Sequence, residues 1–494
     1  MKIIKLNKEA KKLIHDGFNE ACNLVKLSLG PSGRNAIISR PYQFAEITND
    51  GKTIAEAIEI EDEIKQLGAD KVKEITISTF DKAFDGTTTA TTLAQSIENV
   101  GYEKINIDNA FTNENIDPIK VKEEIDIACE KVIKELYKIS KKISTDEDIY
   151  NVAMSSVKVP KYAKMIADIY KKIGKDGIIT VEDSYFDTDF EIIDGFEIEA
   201  GFENELFANQ EDKTFVIEKP LVLITNQPLN FKEQITPITQ KLFKENNIRD
   251  IIIISDNFSK EVIQSFILAK VSNTFNIIPI KTPYFGDSNK MKDLAISLGA
   301  YLFDKQLNVD LSTAIMENMG TAKKIVIEKD RTVIFGAKGN VSERLKELNK
   351  ELSKSKTKFD KDQLEKRIAK LNGAIGVIRV SSTESDKTYL KKKINNAINT
   401  TKFALQEGIV KGGGLALKEI SEKLPKSILT EALLSPYNTI QSNTGGIEIT
   451  PNVIDAVKTT KTALQTACNL SGLLLTIEVA IADKYEKPKD YKED

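Results

Sequence analysis

Apolar residues recur at helical spacing over both ends of the chain, and strands alternate with helices only in its middle. That order constrains the fold more than any single motif. Two helical ends flanking an α/β segment imply that the termini fold together and that the middle is an insertion. Ala10, Leu13, Ile14, Phe18, Ala21, Val25 and Leu29 mark a first helix, stopped by Gly30-Pro31. Helices are expected over 64–84, 87–100 and 118–142, with short strands over 35–39 and 46–48. From Gly177 the period changes, giving a strand over 177–182 and then an acidic stretch dotted with aromatics up to Phe207. Strands over 221–225, 251–255 and 277–280 alternate with helices over 235–246, 260–271 and 290–298, the pattern of a partly parallel sheet. Residues 342–371 read as one long charged helical stretch with a solvated face, followed by a strand over 374–380. Helices over 390–408, 412–423, 428–443 and 455–482 precede a charged tail.

At 494 residues the chain has material for about three domains. A net charge of −4 with both signs interspersed argues against a dedicated nucleic-acid binder. Cys22, Cys129 and Cys468 form no CxxC or Cys/His cluster and occupy apolar helical positions, as buried thiols in a reducing compartment do. His15 is the only histidine, expected at the surface, so zinc chemistry and a histidine-based triad are excluded. The basic N-terminus has no long apolar core, and no stretch reaches bilayer-spanning length. The expectation is the cytoplasm, of a cell or of a virus-infected host, without membrane partners.

One stretch carries chemistry. In Asp85-Gly86-Thr87-Thr88-Thr89 an acid and a glycine run into three hydroxyls at the start of a helix. The first N–H groups of a helix have no intrahelical partner, so such an end suits a phosphate. Asp85 would repel a bare phosphate, and its presence makes sense with a hard cation such as Mg²⁺ between them. Read alone, the pentapeptide is better explained as an Asp-Gly turn with a threonine N-cap, which needs no ligand; the rest of the chain reverses that preference. Gly51-Lys52-Thr53 imitates the end of a P-loop, but Glu46 stands where that motif needs glycine.

These residues belong to a longer set: Leu29-Gly30-Pro31, Gly33-Arg34-Asn35, Thr48 with Asp50-Gly51, Asp85 to Thr91, Gly177 to Asp183, Pro283 with Phe285-Gly286-Asp287, and Glu407-Gly408 with Gly412-Gly413-Gly414. In order and spacing the chain resembles group I, bacterial-type (GroEL-like) chaperonins over nearly its whole length. The resemblance implies a multidomain α and α/β fold. An equatorial ATP-binding domain would comprise 1–138 and 407–494, a small α/β intermediate hinge domain 139–192 and 375–406, and an α/β apical client-binding domain 193–374. It implies ATP and Mg²⁺, with Leu29, Gly30 and Pro31 lining the nucleotide, Asp85 holding the metal and Gly86, Thr87, Thr88 and Thr89 the phosphates. Gly413 and Gly414 would flank the nucleoside and Asp455 accept from the ribose. It further implies a homo-oligomeric ring of seven around a chamber for non-native polypeptides, and a GroES-like co-chaperonin lid. Clients would meet an exposed apolar ridge of Phe202, Leu206, Phe207, Ile263, Ile267 and Leu268.

The departures concern mechanism. The family's catalytic aspartate is Asn396, a phosphate-contacting lysine is Asn49, and leucines of the apical surface are Thr236 and Thr239. Asp50 remains as a candidate catalytic carboxylate. The stretches 424–436 and 445–455 are shorter than in relatives, which use them for ring-to-ring contacts and part of the adenine pocket; a single ring, or rings that pair weakly, is therefore expected. The Gly-Met-rich tail of many relatives is absent. Three functions compete: an ATP-cycling folding machine that hydrolyses slowly, an ATP-independent holding protein, and a small-molecule kinase or ligase built on the Asp85 loop. The last has no acid/base cluster in its favour.

Overall fold

The computed structural model describes residues 2–39, 44–106, 116–174, 177–210, 213–307, 310–355, 357–381, 387–447 and 452–484. The chain forms two compact units, Met1–Lys171 with Val380–Asp494, and Lys172–Arg379. The discontinuity expected from the periodicity is thus present.

The first unit is helical. Its central helix, Val457–Leu475, is buried on nearly every side, which its small residues Ala463, Ala467, Ser471 and Gly472 permit. Around it pack Glu63–Ala83, Thr87–Asn106 and Pro118–Ile139, and Asn7–Val25 lies on Glu63–Ala83. Cys22, Cys129 and Cys468 are free, buried thiols in this core. The expected helix over 455–482 ends earlier, at Leu475. A strand, Val479–Asp483, follows and pairs antiparallel with Lys2–Leu6. Ala480 and Ala482 point inward while Val479 and Ile481 face out, the two-residue period of a strand. Among the described residues this unit has two other small antiparallel pairs: Ala36–Ile38 with Glu46–Thr48, and Ile409–Lys411 with Ile454–Ala456. The latter pair lies where the sequence pattern gives loop and helix, and the helices Asp146–Val157 and Pro160–Ile173 stand where it predicts no element.

The described residues of the second unit form two sheets. In the five-stranded sheet, Leu302–Phe303, Leu221–Thr225, Asp250–Ser255 and Asn276–Lys281 run parallel, and Gly320–Thr321 pairs antiparallel with Leu221–Thr225. Ile251 to Ile254 are all buried, as a central strand covered on both faces requires. The six-stranded sheet has the order Ile178–Ser184, Ala374–Ser381, Asp189–Ile198, Thr332–Phe335, Lys324–Ile327, Phe215–Glu218. Its strand Asp189–Ile198 occupies the stretch that the sequence left without structure. The charged stretch 342–371 is two helices, Ser342–Lys354 and Lys358–Leu371, the second capped by Thr357. Its surface is not solvated throughout: the guanidinium of buried Arg344 lies 2.8 Å from Asp293, and that of Arg367 lies 2.6 Å from the same carboxylate. Among the described residues no helix is long and apolar enough to cross a membrane.

Candidate functional site

A cavity of about 560 Å³ opens in the helical unit. Its wall is assembled from segments far apart in sequence. Leu29, Gly30 and Pro31 follow the first helix, Asp85 to Thr89 start the helix Thr87–Asn106, and Gly413 and Gly414 precede the helix Leu415–Lys423. Asp455 lies on the strand paired with Ile409–Lys411, and Asn49, Asp50 and Asn396 complete the set. Every residue expected to meet nucleotide therefore lines one cavity.

Local geometry explains the spacing. Gly86 has φ +81°, and a Cβ there would meet the Thr459 methyl at 2.8 Å, so only glycine makes this entry to the helix. The Asp85 carboxylate accepts from the Gly86 N–H at 2.7 Å, and the Gly86 carbonyl accepts from Ala90 N–H, which leaves the N–H groups of Thr87, Thr88 and Thr89 at the open end. The Thr88 hydroxyl is 3.2 Å from that of Ser28, joining the turn after the first helix to this wall. Gly414 has φ +78°, and a Cβ there would sit 2.6 Å from the Tyr437 backbone nitrogen. The hydroxyls of Thr400 and Thr459, both in the cavity wall, are buried without a hydrogen-bond partner.

The site's charges are shifted by burial and by each other. Burial, with the Asp85 charge second, pushes the Asp455 carboxyl up to about 6, against a Gly413 N–H that lowers it. Burial of Asp50 would raise its carboxyl. The Lys392 ammonium at 2.8 Å and hydrogen bonds from Thr53 outweigh this and hold it below the ordinary carboxylate value. Burial, and then the neighbouring Lys158, bring the Lys393 amine down to about 8, although Asp85 and Asp50 favour its charge. Burial likewise lowers the Lys158 amine, which donates to the Gly30 carbonyl at 2.9 Å. Lys158, Lys393, Thr400, Ile440 and Thr459 also line the cavity and were not singled out from sequence. Lys393 and Thr400 were within reach, because they stand three before and four after Asn396 on one helix, Lys387–Glu407, and so share its face.

The expected apical ridge is only partly exposed. Phe202 and Phe207 are buried in the core of the second unit, and Ile263 and Ile267 pack half-buried against it. Only Leu206, at 62%, and Leu268, at 68%, present most of their surface to solvent, and Val271 joins them at 77%. Phe202 and Phe207 are thus corrected from ridge to core: the turn Glu205–Phe207 folds back on the helix Lys260–Val271, carrying Phe207 inward and Leu206 outward. Lys270 fixes that turn, its amine donating to the carbonyls of Leu206, Phe207 and Ala208 at 2.9, 2.6 and 3.0 Å. Thr236 is exposed, whereas Thr239 is buried and donates to the Thr236 carbonyl.

His15 also departs from expectation. It is half-buried rather than freely exposed: its Nδ1 lies 2.9 Å from the buried Glu98 carboxylate, and its ring stacks on Tyr102 with centroids 3.9 Å apart.

The fold is that of solved chaperonins. Over 98% of this chain and 100% of the other, it matches the chaperonin gp146 from bacteriophage EL 2 (Pseudomonas aeruginosa), crystallised in the presence of ATP-BeFx, with a TM-score of 0.73 at 18% identity. A second crystal form of that protein, also in the presence of ATP-BeFx, matches with a TM-score of 0.64 at 17% identity, over 98% of this chain and 99% of the other. The family model of the TCP-1/cpn60 chaperonins matches residues 22–431, and the chain belongs to that chaperonin family.

Proposed function

We propose that this chain is the subunit of a ring-forming chaperone that binds Mg·ATP, holds non-native polypeptides and assists their folding, with slow hydrolysis. The observation that carries this reading is the convergence of a threonine-rich helix N-terminus, the Asp85 carboxylate and glycine backbone from other segments on one cavity. Its volume suits a small molecule, for which sites of ~300–1,000 Å³ are usual. The unpartnered hydroxyls of Thr400 and Thr459 and the open N–H groups of the helix fit a polar, phosphate-bearing ligand. Among the described residues no cluster of three or more His, Cys, Asp or Glu could hold a metal by itself. A single carboxylate shared with phosphate oxygens is, however, a usual arrangement for Mg²⁺. Asp85 would hold that ion, which when bound shields the phosphate charge. Gly86 and Thr87 to Thr89 would hold the phosphates, Leu29 to Pro31 with Gly413 and Gly414 the nucleoside, and Asp455 the ribose. Asn396 would hydrogen-bond a water but supply neither charge nor an effective base. The ATP-BeFx present with bacteriophage EL 2 gp146 supports the same ligand class here.

In this reading, residues 1–138 with 407–494 bind nucleotide, 139–192 with 375–406 form the hinge, and 193–374 meet clients and a possible co-chaperonin lid. The ring has seven subunits and stands singly in the cytoplasm. The segment around 106–115, which could compensate for the shortened ring-to-ring stretches, lies outside the described residues except for the backbone of residue 106. Calorimetric titration with Mg·ATP, together with refolding of a denatured client in ATP, ADP or no nucleotide, tests the proposal. Nucleotide binding with ATP-dependent refolding is expected; absence of nucleotide binding would refute it. The competing reading, a holding protein independent of ATP, is favoured by Asn396, by Asn49 and by the engagement of Asp50 with Lys392. It requires client protection that is the same with and without nucleotide.

A further inference from the structure

Among the described residues, Lys158, Lys392, Lys393 and Lys411 stand in the cavity or at its edge, and the first, second and last have partners. The amine of Lys158 donates to the Gly30 carbonyl at 2.9 Å, Lys392 pairs with Asp50 at 2.8 Å, and Lys411 pairs with Glu419 at 3.2 Å. Lys393 is different. It lines the cavity half-buried, its amine lies 5.3 Å from the centroid of the Tyr389 ring, and among the described residues it makes no ion pair or hydrogen bond. A partly buried ammonium without a counter-ion is unfavourable unless the ligand supplies one.

Its position says which ligand atoms those are. Lys393 stands one turn before Asn396 on the helix Lys387–Glu407, so both side chains project to the same wall, and the carboxylates acting on it are Asp85 and Asp50. Asn49, from the neighbouring loop, is already engaged, its side-chain carbonyl accepting from the Tyr389 hydroxyl at 2.5 Å. We infer that Lys393 is the cation that contacts the terminal phosphate of a bound nucleoside triphosphate, and so makes the site prefer triphosphate over diphosphate. This rests on the reading of the cavity as a nucleotide site. An amine with three donors and no competing acceptor in the protein satisfies a terminal phosphate, which is absent from ADP.

The test is calorimetric titration of the full chain with Mg·ADP and with the Mg complex of a non-hydrolysable β,γ-imido analogue of ATP, for wild type, Lys393→Met and Lys393→Arg. Lys393→Met should weaken the triphosphate analogue about 10- to 100-fold, the effect of losing one charge-assisted hydrogen bond, and ADP by less than about 3-fold. Lys393→Arg should keep most of the preference. Lys393→Gln carries the same comparison if circular dichroism shows the Met variant to be unfolded. If wild type binds both ligands and the substitution weakens both equally, or neither, the role of Lys393 is overturned. Wild type binding neither ligand would instead overturn the reading of the cavity, and this inference with it.

Discussion

The Nζ atom of Lys392 lies 2.8 Å from Oδ2 of Asp50 and 2.7 Å from the hydroxyl of Thr53. The same carboxylate oxygen accepts from the Thr53 N–H at 3.0 Å and from its hydroxyl at 2.6 Å, so Asp50 caps the short helix Gly51–Glu56 and anchors Lys392 together. An oxygen committed to three donors is poorly placed to take a proton from water. The consequence is structural: Asp50→Ala should destabilise the helical unit by roughly 1–2 kcal/mol, the usual cost of an N-cap. Because the folded carboxyl is held below its ordinary 3.8, this stability is present above about that pH and is lost as pH falls through the lower folded value. Denaturant melts followed by circular dichroism at pH 7 and below pH 3 should show the difference between wild type and variant shrinking with acid.

Asn396 faces the cavity where the resemblance expects a carboxylate. Asn396→Asp should leave nucleotide affinity nearly unchanged and raise steady-state turnover, by about 10-fold or more given what general-base groups contribute. Phosphate release and calorimetry on both proteins decide it. Wild-type turnover that the substitution does not change would show that Asn396 does not limit the reaction.

The division of the expected ridge into exposed and buried residues separates two phenotypes. Leu206→Ser with Leu268→Ser removes exposed apolar surface and should change stability by within about 0.5 kcal/mol. Capture of a denatured client should nevertheless fall, each leucine being worth up to ~1.5–3 kcal/mol when a partner buries it. Phe207→Ser empties a fully buried site and should cost about 3–5 kcal/mol, reading as loss of folding of the second unit. Client capture that survives the double leucine variant would move the client surface elsewhere.

His15 makes the helical unit pH-sensitive. Burial would lower its imidazole, but the hydrogen bond and charge of Glu98, aided by Asp16 and Glu103, raise it above 6.5. A raised value means that the stabilisation is fully present below about 6.5 and is lost as pH rises through the folded value. Thermal stability should therefore decline from pH 6 to pH 8, and His15→Gln should flatten that slope.

Periodicity alone determined the two helical ends, the α/β middle and most element positions, because a helix buries every third or fourth residue and a strand every second. The resemblance to chaperonins, and not spacing alone, pointed to Leu29-Gly30-Pro31, Asp85 to Thr89, Gly413-Gly414 and Asp455 as cavity residues; the backbone at Gly86 and Gly414 tolerates no side chain. Short two-strand pairs escaped, as at Ile409–Lys411 with Ile454–Ala456, because three residues show no period. The strand Val479–Asp483 was hidden by apolar residues continuous with those of the helix before it. Side-chain orientation belonged to the tertiary structure. Leu206 and Phe207 are adjacent and both apolar, yet the Lys270 clasp turns one out and the other in. Lys392 and Lys393 are adjacent and identical in chemistry. Only the folded chain brings Asp50 to the first and leaves the second facing an open cavity, because that choice depends on a contact across more than three hundred residues.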